Sequence, residues 1–353
     1  MSSKRLGFFT RLLDDTRPQE RYRLASEQIA FAEQQGFDSA WVAQHHFHRD
    51  EGGLPAPLVF LAYVAAHTRH IRLGTGVITL PMESALRVAE DAAVLDLLSG
   101  GRLEIGLGSG GTPSSFLPFG LTSNRRGEAF AQNLQILLDC WQGNALAGDG
   151  NQLYPPAPQL AKRIWQATFS VEGGARAGAA GDGLMLSRTQ PRPADRPDLS
   201  LAELQNPIID AYLEALPAGV EPRILGSRTA FVTEDGQQAR DLAQKGLRRQ
   251  AENHRASGHQ VRGDTLDDYI AAFDVHLGDA RQVIASLQQD SALARVTDLA
   301  FQVHSIDPPH PYILRSIELI AKKVAPALGW TRTTPSKITV PQPLHDALAK
   351  ETL

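Results

Sequence analysis

The sequence predicts an α/β protein, a (β/α)8 TIM barrel over residues 1–330 with insertions after the sixth and seventh strands. Short apolar, β-branched and aromatic runs alternate with longer segments of helical period, which is typical of parallel β/α units. There are eight such runs, the number that closes this barrel. They lie at about residues 5–9, 38–43, 71–77, 102–107, 164–169, 183–187, 223–232 and 298–303.

Three of the intervening segments show clear helical periodicity. Residues 19–35 place apolar side chains on one face and stop at Gly36, a residue suited to the left-handed position after a helix. Residues 85–98 and 310–325 follow the same pattern. A doubly wound open sheet remains the alternative, because the pattern does not show closure. Its dinucleotide-binding form is disfavoured, since no GxGxxG follows the first strand.

Two segments depart from the alternation of strands and helices. Residues 188–200 carry three prolines and three arginines, which predicts an irregular excursion over the barrel mouth. Residues 256–278 form the second insertion. Each is either a segment that closes over a ligand or a surface loop without such a role. Residues 331–353 are predicted to form a polar C-terminal arm, available for contact with a partner subunit.

Composition excludes several classes of protein. The formal charge is -4 without long basic runs, so we expect no nucleic-acid partner. Cys140 is the only cysteine, which excludes an internal disulfide and fits a reducing compartment. We expect its thiol on the buried side of a helix. The longest apolar stretch, 57–66, is too short to span a bilayer, and Arg11 interrupts the apolar N-terminus. We therefore expect a cytoplasmic protein without a membrane partner.

Glycines and polar residues follow several predicted strands at the barrel end where active sites of this fold lie. Gln44 and His45 end the second strand, Gly76 lies in the third, and GLGSGG (106–111) follows the fourth. Glycine lets the backbone approach a ligand closely. After the fifth strand, VEGGAR (171–176) predicts a helix N-terminus at which Gly173, Gly174 and Arg176 bind a phosphate. The alternative is that these glycines only permit a tight turn.

Three histidines, His45, His46 and His48, follow the second strand. Adjacent strand residues point to opposite faces, so His45 and His46 are not expected to bind one ion. A catalytic metal usually needs three convergent ligands, and only His304 with Asp307 is available elsewhere. We predict no metal. His45 is better explained as a neutral imidazole that exchanges protons near a ligand.

Several ordered segments resemble those of the bacterial luciferase-like flavin monooxygenases, and the resemblance covers nearly the whole chain. They are HHF at 45–47, GTGV at 74–77, LDLLSGGRL at 95–103 and GLGSGG at 106–111. The resemblance implies a barrel that binds reduced FMN, supplied by a separate reductase, at the carboxyl ends of its strands. Dioxygen then adds at flavin C(4a), and the hydroperoxide oxygenates a small organic substrate.

The resemblance also assigns residues. His45 falls at the family's catalytic histidine, and Gly76-Val77 at a non-proline cis peptide against the flavin. Gln44 and Gly110 are assigned to the cofactor site with them. Asp96 and Arg102 are expected to form a structural ion pair. Arg87 and Glu90 are also expected to be structural.

Two departures from the family bear on the cofactor. Gln44 stands where a glutamate is common, so a carboxylate that could tune His45 is missing. Ser109 stands where luciferase has an arginine for the phosphate, and Arg176 could supply the lost charge. The resulting hypothesis is a phosphate site made of Ser109, Gly173, Gly174 and Arg176.

Two rival functions remain open: a deazaflavin-dependent hydride-transfer oxidoreductase on the same barrel, and a non-catalytic flavin-binding partner subunit. We expect a homodimer from the resemblance alone. An apolar patch beside arginines favours a substrate with a hydrophobic body and an anionic group. The residues expected at the substrate mouth are Phe8, Phe9, Arg11, Arg188, Arg192 and His304.

Overall fold

The computed structural model describes residues 4–148, 150–256, 260–303 and 308–330. The predicted C-terminal arm, 331–353, lies outside these residues, as do His304 and Asp307.

Within the described residues, eight parallel strands close into a barrel with helices between them. Together with two further strands, the described residues form ten: β1 (Arg5–Thr10), β2 (Ser39–Val42), β3 (Arg72–Thr75), β4 (Ile78–Thr79), β5 (Leu103–Gly108), β6 (Ile164–Ala167), β7 (Gly183–Leu186), β8 (Ile224–Thr233), β9 (Val275–Asp279) and β10 (Asp298–Gln302), with β4 and β9 as the two further ones. β10 pairs with both β1 and β8, which closes the ring and excludes the open sheet. β4 continues the line of β3, and β9 pairs with the far half of β8 outside the ring.

The helices cover the outside of the barrel. They are α1 (Pro18–Gln35), α2 (Pro57–His67), α3 (Ala85–Leu98), α4 (Arg126–Trp141), α5 (Val171–Ala179), α6 (Leu201–Ala215), α7 (Gly236–Ala256), α8 (Leu266–Ala272), α9 (Ala280–Gln288), α10 (His310–Leu319) and α11 (Ala325–Ala327). α1 ends as predicted at Gly36, whose φ is 89° and whose amide donates to the carbonyls of Ala32 and Glu33. Cys140 is buried on α4, in agreement with the prediction.

Alternation along the strands divides the apolar residues into two cores. Side chains of Phe9, Trp41, Trp165, Met185 and Leu225 fill the barrel interior, and a larger cluster lies between strands and helices. Trp41 and Trp165 meet edge to face at 5.6 Å. A β-carbon on Gly74 would lie 2.2 Å from the Trp41 ring, so this glycine makes room for the tryptophan and not for a ligand.

The predicted insertions differ from each other. Residues 188–200 are irregular up to Ser200, which caps α6 through a capping box with Glu203. In contrast, residues 256–278 contain α8 and most of β9, and β9 is in parallel register with β8. Much of the second insertion is therefore regular structure.

The expected Asp96–Arg102 ion pair is wrong. The Asp96 carboxylate binds Arg163 at 2.8 Å, while Arg102 donates to carbonyls of Ala65 and Ile71 near the end of α2. The C-terminal carbonyls of a helix need donors from outside it, which explains why the Arg102 guanidinium lies at the end of α2. Arg87 pairs with Glu90 on the exposed face of α3, so that pair is structural as expected.

Candidate active site

The carboxyl ends of the strands border a large cavity. Its volume is about 1130 Å³, and its lining residues follow β1, β2, β5 and β7, with the C-terminal half of α7 on one side. Five arginines and three histidines line it, but only two acids. The basic lining residues are Arg11, Arg21, His45, His48, Arg49, Arg188, Arg249 and His254. The cavity therefore favours an anionic ligand.

His45 lies at this cavity, two residues beyond the interior residue Ala43. Its amide donates to the carbonyl of Leu54 at 2.9 Å, which fixes the backbone. Its Nδ1 is buried and has no hydrogen-bond partner among the described residues. Burial, and then the charges of Arg11, Arg188 and His46, lower the pKa of His45 to about 3. The imidazole is therefore neutral at physiological pH, and its Nδ1 faces Gly52, where an added β-carbon would lie 2.5 Å away.

Gln44, by contrast, points into the wall of the barrel. Its Oε1 accepts from the amide of Thr79 at 2.7 Å, and its Nε2 donates to Pro55 O and to Glu83 Oε1. The backbone amide of Gln44 donates to Val77 O at 3.3 Å. The Gly76-Val77 peptide bond is cis, as the resemblance implied. Gln44 thus ties the end of β2 to the segment that holds Val77.

Beside most glycines of the predicted loops, the space is already filled by neighbouring side chains. A β-carbon on Gly108 would meet the Val77 side chain at 2.7 Å, and one on Gly110 would meet Thr79 at 2.8 Å. A β-carbon on Gly111 would meet nothing within 4 Å among the described residues, and Gly111 lines the cavity. Gly111 is therefore the glycine of this loop that leaves room for a ligand.

The predicted phosphate site is only partly supported by its geometry. The amide of Gly173 donates to Ser170 Oγ at 3.1 Å, and that of Gly174 to Ser170 O at 3.1 Å, so both donors are used within α5. A β-carbon on Gly174 would lie 2.5 Å from Ile208 O on α6, so this glycine permits close helix packing. Arg176 donates to Gln166 and lies over the Phe130 ring, which leaves other guanidinium nitrogens for a ligand. Ser109 is half-buried at the end of β5.

The expected substrate residues separate into two groups. Phe8 is 0% exposed and belongs to the core between strands and helices, so its assignment to the mouth is wrong; strand alternation turns it outward. Phe9 points into the barrel below the mouth. Arg192 binds Asp274 at 2.5 Å and does not line the cavity. Arg11 and Arg188 do line it.

Sequence reasoning missed several polar groups. Glu83 binds Gln44, and burial raises its pKa. Gln302 and Thr229 lie side by side in register, and the Gln302 amide and the Thr229 hydroxyl have no partner in the described part of the chain. Gln302 has the strand parity of the interior residue Ala300, which was the available signal.

Other site classes find no support in the described ranges. No group of three or more His, Cys, Asp or Glu side chains there is placed to hold a metal ion. In the same residues, no helix combines the length and apolarity that a bilayer crossing requires. A second cavity, of about 550 Å³, lies outside the barrel between α1 and α2 and contains no predicted site residue.

The chain belongs to the luciferase-like monooxygenase family, whose model matches residues 6–297. It is 28% identical over 331 residues to the uncharacterized protein y4vJ of Sinorhizobium fredii, covering 87% of this chain and 91% of that protein. It is 36% identical over 111 residues to 4-hydroxyprotoasukamycin monooxygenase of Streptomyces nodosus subsp. asukaensis (31% and 30% of the two chains). It is 26% identical over 136 residues to the oxygenase component of the flavin-dependent trigonelline monooxygenase of Acinetobacter baylyi (38% of each chain). These two relatives of named activity match over less than half of their length.

Solved structures share the fold. Monooxygenase RslO1 of Streptomyces bottropensis superposes with a TM-score of 0.75 at 24% identity, covering 92% of this chain and 99% of that one. The oxygenating constituent of 3,6-diketocamphane monooxygenase of Pseudomonas putida, in complex with FMN, gives 0.71 at 18% identity (92% and 98%). A coenzyme F420-dependent tetrahydromethanopterin reductase of Methanopyrus kandleri gives 0.66 at 19% identity (92% and 99%).

Proposed function

We propose that this protein is a monooxygenase that takes reduced FMN from a separate reductase and uses dioxygen to oxygenate a small organic compound. The observation that carries the proposal is His45, a neutral imidazole on the wall of the cavity at the barrel mouth. Family membership supports monooxygenase chemistry. A relative named as an oxygenase component supports a reductase partner, and an FMN complex of a structural neighbour supports the cofactor.

The residues present fit a flavin. The features that a bound ligand would complete are the open space at Gly111, judged within the described chain, and the His45 imidazole on the same cavity wall. Gly76 and Val77 would hold the ring system, with Gln44 positioning their segment, whereas the space beside Gly110 is filled by Thr79 and Phe116. Ser109 and Arg176 would hold the phosphate. Reduced FMN would supply the electrons that activate dioxygen.

His45 would hold or move a proton at Nε2, because its Nδ1 is packed against Gly52, where an added β-carbon would lie 2.5 Å away. A neutral imidazole either donates or accepts a hydrogen bond there, because the tautomer decides which nitrogen carries the hydrogen. Proton transfer by a positioned side chain typically contributes about 10²- to 10⁴-fold to a rate. Leu13 and Phe47, which also line the cavity, would exclude water around this proton.

Anaerobic calorimetry tests the cofactor assignment. Reduced FMN, oxidised FMN and reduced deazaflavin are titrated into the protein in separate runs. The proposal expects reduced FMN to bind at least about tenfold more tightly than reduced deazaflavin, a difference of about 1.4 kcal/mol. Equal or tighter binding of the deazaflavin would favour hydride transfer instead.

The deazaflavin-dependent oxidoreductase is the second candidate. Structural neighbours that use coenzyme F420, with TM-scores of 0.66 and 0.65, support it at the level of the fold. A non-catalytic subunit is less well supported, because a histidine with a lowered pKa in a cleft indicates a working site.

We also propose a homodimer that forms through α2 and α3. Adjacent on the barrel surface, these helices expose large apolar side chains, a feature of interaction surfaces. The exposed residues are Val59, Tyr63, Leu86, Val94, Leu97 and Leu98. Analytical ultracentrifugation tests this: wild type should sediment as a dimer and Leu97→Lys as a monomer. A monomeric wild type would refute it.

The single cysteine and the need for reduced flavin fit the cytoplasm.

A further inference from the structure

We propose that Arg11 and Arg188 bind the anionic group of the substrate beside His45, and that the substrate is a small organic acid with an apolar body. The assignment of this ligand as the substrate rests on the proposed function, whereas anion binding by Arg11 and Arg188 does not depend on it.

The two arginines lack partners that comparable arginines have. Arg11 donates to Glu51 O at 3.0 Å, but its buried Nε is without a partner in the described residues, as is Nη1 of Arg188. Elsewhere, Arg228 is buried and binds both Asp290 and Gln205. Buried donors are normally hydrogen-bonded, so two arginines that line one cavity and each keep a buried nitrogen without a partner in the described residues indicate a ligand with acceptor oxygens.

The charges around the pair are also unbalanced. Burial lowers the pKa of Arg11 to about 10 and that of Arg188 in the same direction, and the charge of Arg11 lowers the pKa of Arg188 further. Asp274 and Glu51 offset this only in part, since Asp274 is bound to Arg192 and Glu51 accepts from Thr112. An anion placed between the arginines would relieve the repulsion.

The apolar part of the ligand has a surface in the same cavity. Phe47 is 66% exposed, lines the cavity and has its ring 5.8 Å from that of Phe119. Its φ of 65° is in the left-handed region, which costs a non-glycine residue about 1 kcal/mol or more. Such a conformation persists where it places a side chain for use. Leu13 adds a second apolar wall.

Anion binding would also act on His45. The groups that face its imidazole and lower its pKa are Arg11, Arg188 and His46. An anion on the two arginines would offset part of their charge and make His45 more basic. Because linkage is reciprocal, protonating His45 would tighten anion binding by the same factor.

The phosphate of FMN offers the same chemistry, so the experiment separates the two sources. Phenylacetate and its neutral analogue phenylacetamide are titrated calorimetrically into wild type, Arg188→Gln, Arg11→Gln and Arg176→Gln, with and without FMN. Arg188→Lys keeps the charge and serves as the rescue variant, and thermal melting checks folding. Phenylacetate should bind wild type about tenfold or more tighter than phenylacetamide, since charged hydrogen bonds are the strong ones.

The two groups of variants are expected to lose opposite binding properties. Arg188→Gln and Arg11→Gln should lose the preference for phenylacetate and keep FMN affinity, whereas Arg176→Gln should do the reverse. Equal binding of both probes by wild type overturns the proposal. Loss of FMN affinity in Arg188→Gln, with phenylacetate binding unchanged, also overturns it and gives these arginines to the cofactor.

A flavin-free measurement keeps this result independent of the oxygenase proposal. NMR titration of the His45 imidazole should show a higher pKa with saturating phenylmethanesulfonate, a sulfonate that stays anionic throughout the titration, than with the neutral phenylmethanesulfonamide. An identical titration with both probes contradicts the coupling. If anion binding holds but reduced FMN does not bind, the proposed function fails and the anion site stands.

Discussion

The side chains of Gln44 and Glu83 are joined by a hydrogen bond of 2.6 Å from Nε2 to Oε1. The family resemblance led us to expect a glutamate at position 44, and the structure supplies a carboxyl group next to Gln44 from the loop before α3. The carboxyl group that seemed missing at Gln44 is thus present one side chain further away. It faces the wall of the site and not His45.

Glu83 should make stability depend on pH. Burial raises its folded pKa above the ordinary value of 4.5, so its contribution to stability is complete below pH 4.5 and is lost as pH rises through the folded pKa. Glu83→Gln keeps an acceptor for Gln44 and removes this loss. Urea unfolding from pH 4 to 8 should show a smaller decline in the variant than in wild type. An equal decline in the free energy of unfolding of both proteins with rising pH would contradict the assignment of this pH dependence to Glu83.

Introducing a glutamate at position 44 should be costly here. Gln44→Glu places a second carboxyl group against Glu83 and removes the donor to Pro55 O, so the free energy of unfolding at pH 7 should fall by about 1–3 kcal/mol. The double variant Gln44→Glu with Glu83→Gln should recover part of it. Denaturant unfolding of wild type, Gln44→Glu, Glu83→Gln and the double variant measures the effect, and an unchanged Gln44→Glu would show that the pair is not coupled.

His45→Asn should retain reduced FMN binding and lose oxygenation. The asparagine keeps a polar group but cannot exchange a proton, so turnover should fall by about 10²-fold or more. The variant should also lose a pH effect on stability: the lowered pKa of about 3 contributes stability above pH 6.5 that is lost as pH falls toward 3. Coupled turnover and acid unfolding check these outcomes. Unchanged turnover would remove His45 from the mechanism.

Arg176→Ala should weaken FMN binding about tenfold or more, with little change in the melting curve of the apo protein, because its guanidinium lies on the surface between α4 and α5. The control is Arg125→Ala near the start of α4, an exposed arginine paired only at the surface with Glu128 in the described structure. Fluorescence titration of FMN measures both. Equal affinity in the two variants would refute the phosphate assignment.

Gly178→Ala should destabilise the protein by about 1–3 kcal/mol, since the added β-carbon would lie 2.2 Å from Tyr212 O where α5 packs against α6. The matched control is Gly127→Ala on α4, where a β-carbon meets nothing within 4 Å in the described chain. That change should stabilise by a few tenths to about 1 kcal/mol. Denaturant midpoints check both signs, and equal effects would contradict the packing explanation.

The sequence predicted the barrel well because strand runs, helix periods and family segments agree along the chain. His45, Arg11 and Arg188 were found because strand ends converge in this fold. Phe8 was misplaced by ignoring strand parity, and Asp96–Arg102 by pairing residues that are near in sequence. Glycines such as Gly74 and Gly174 were misinterpreted, since a pattern does not show whether the space beside a glycine holds a ligand, a tryptophan or a helix.

The central claim is tested most directly by mixing dioxygen rapidly with anaerobic protein that holds reduced FMN, while flavin absorbance is followed. The account predicts a transient species that is neither reduced nor oxidised flavin and that outlasts the reaction of free reduced FMN, with a shorter lifetime in His45→Asn. Direct conversion to oxidised FMN at the rate of the free cofactor would contradict it.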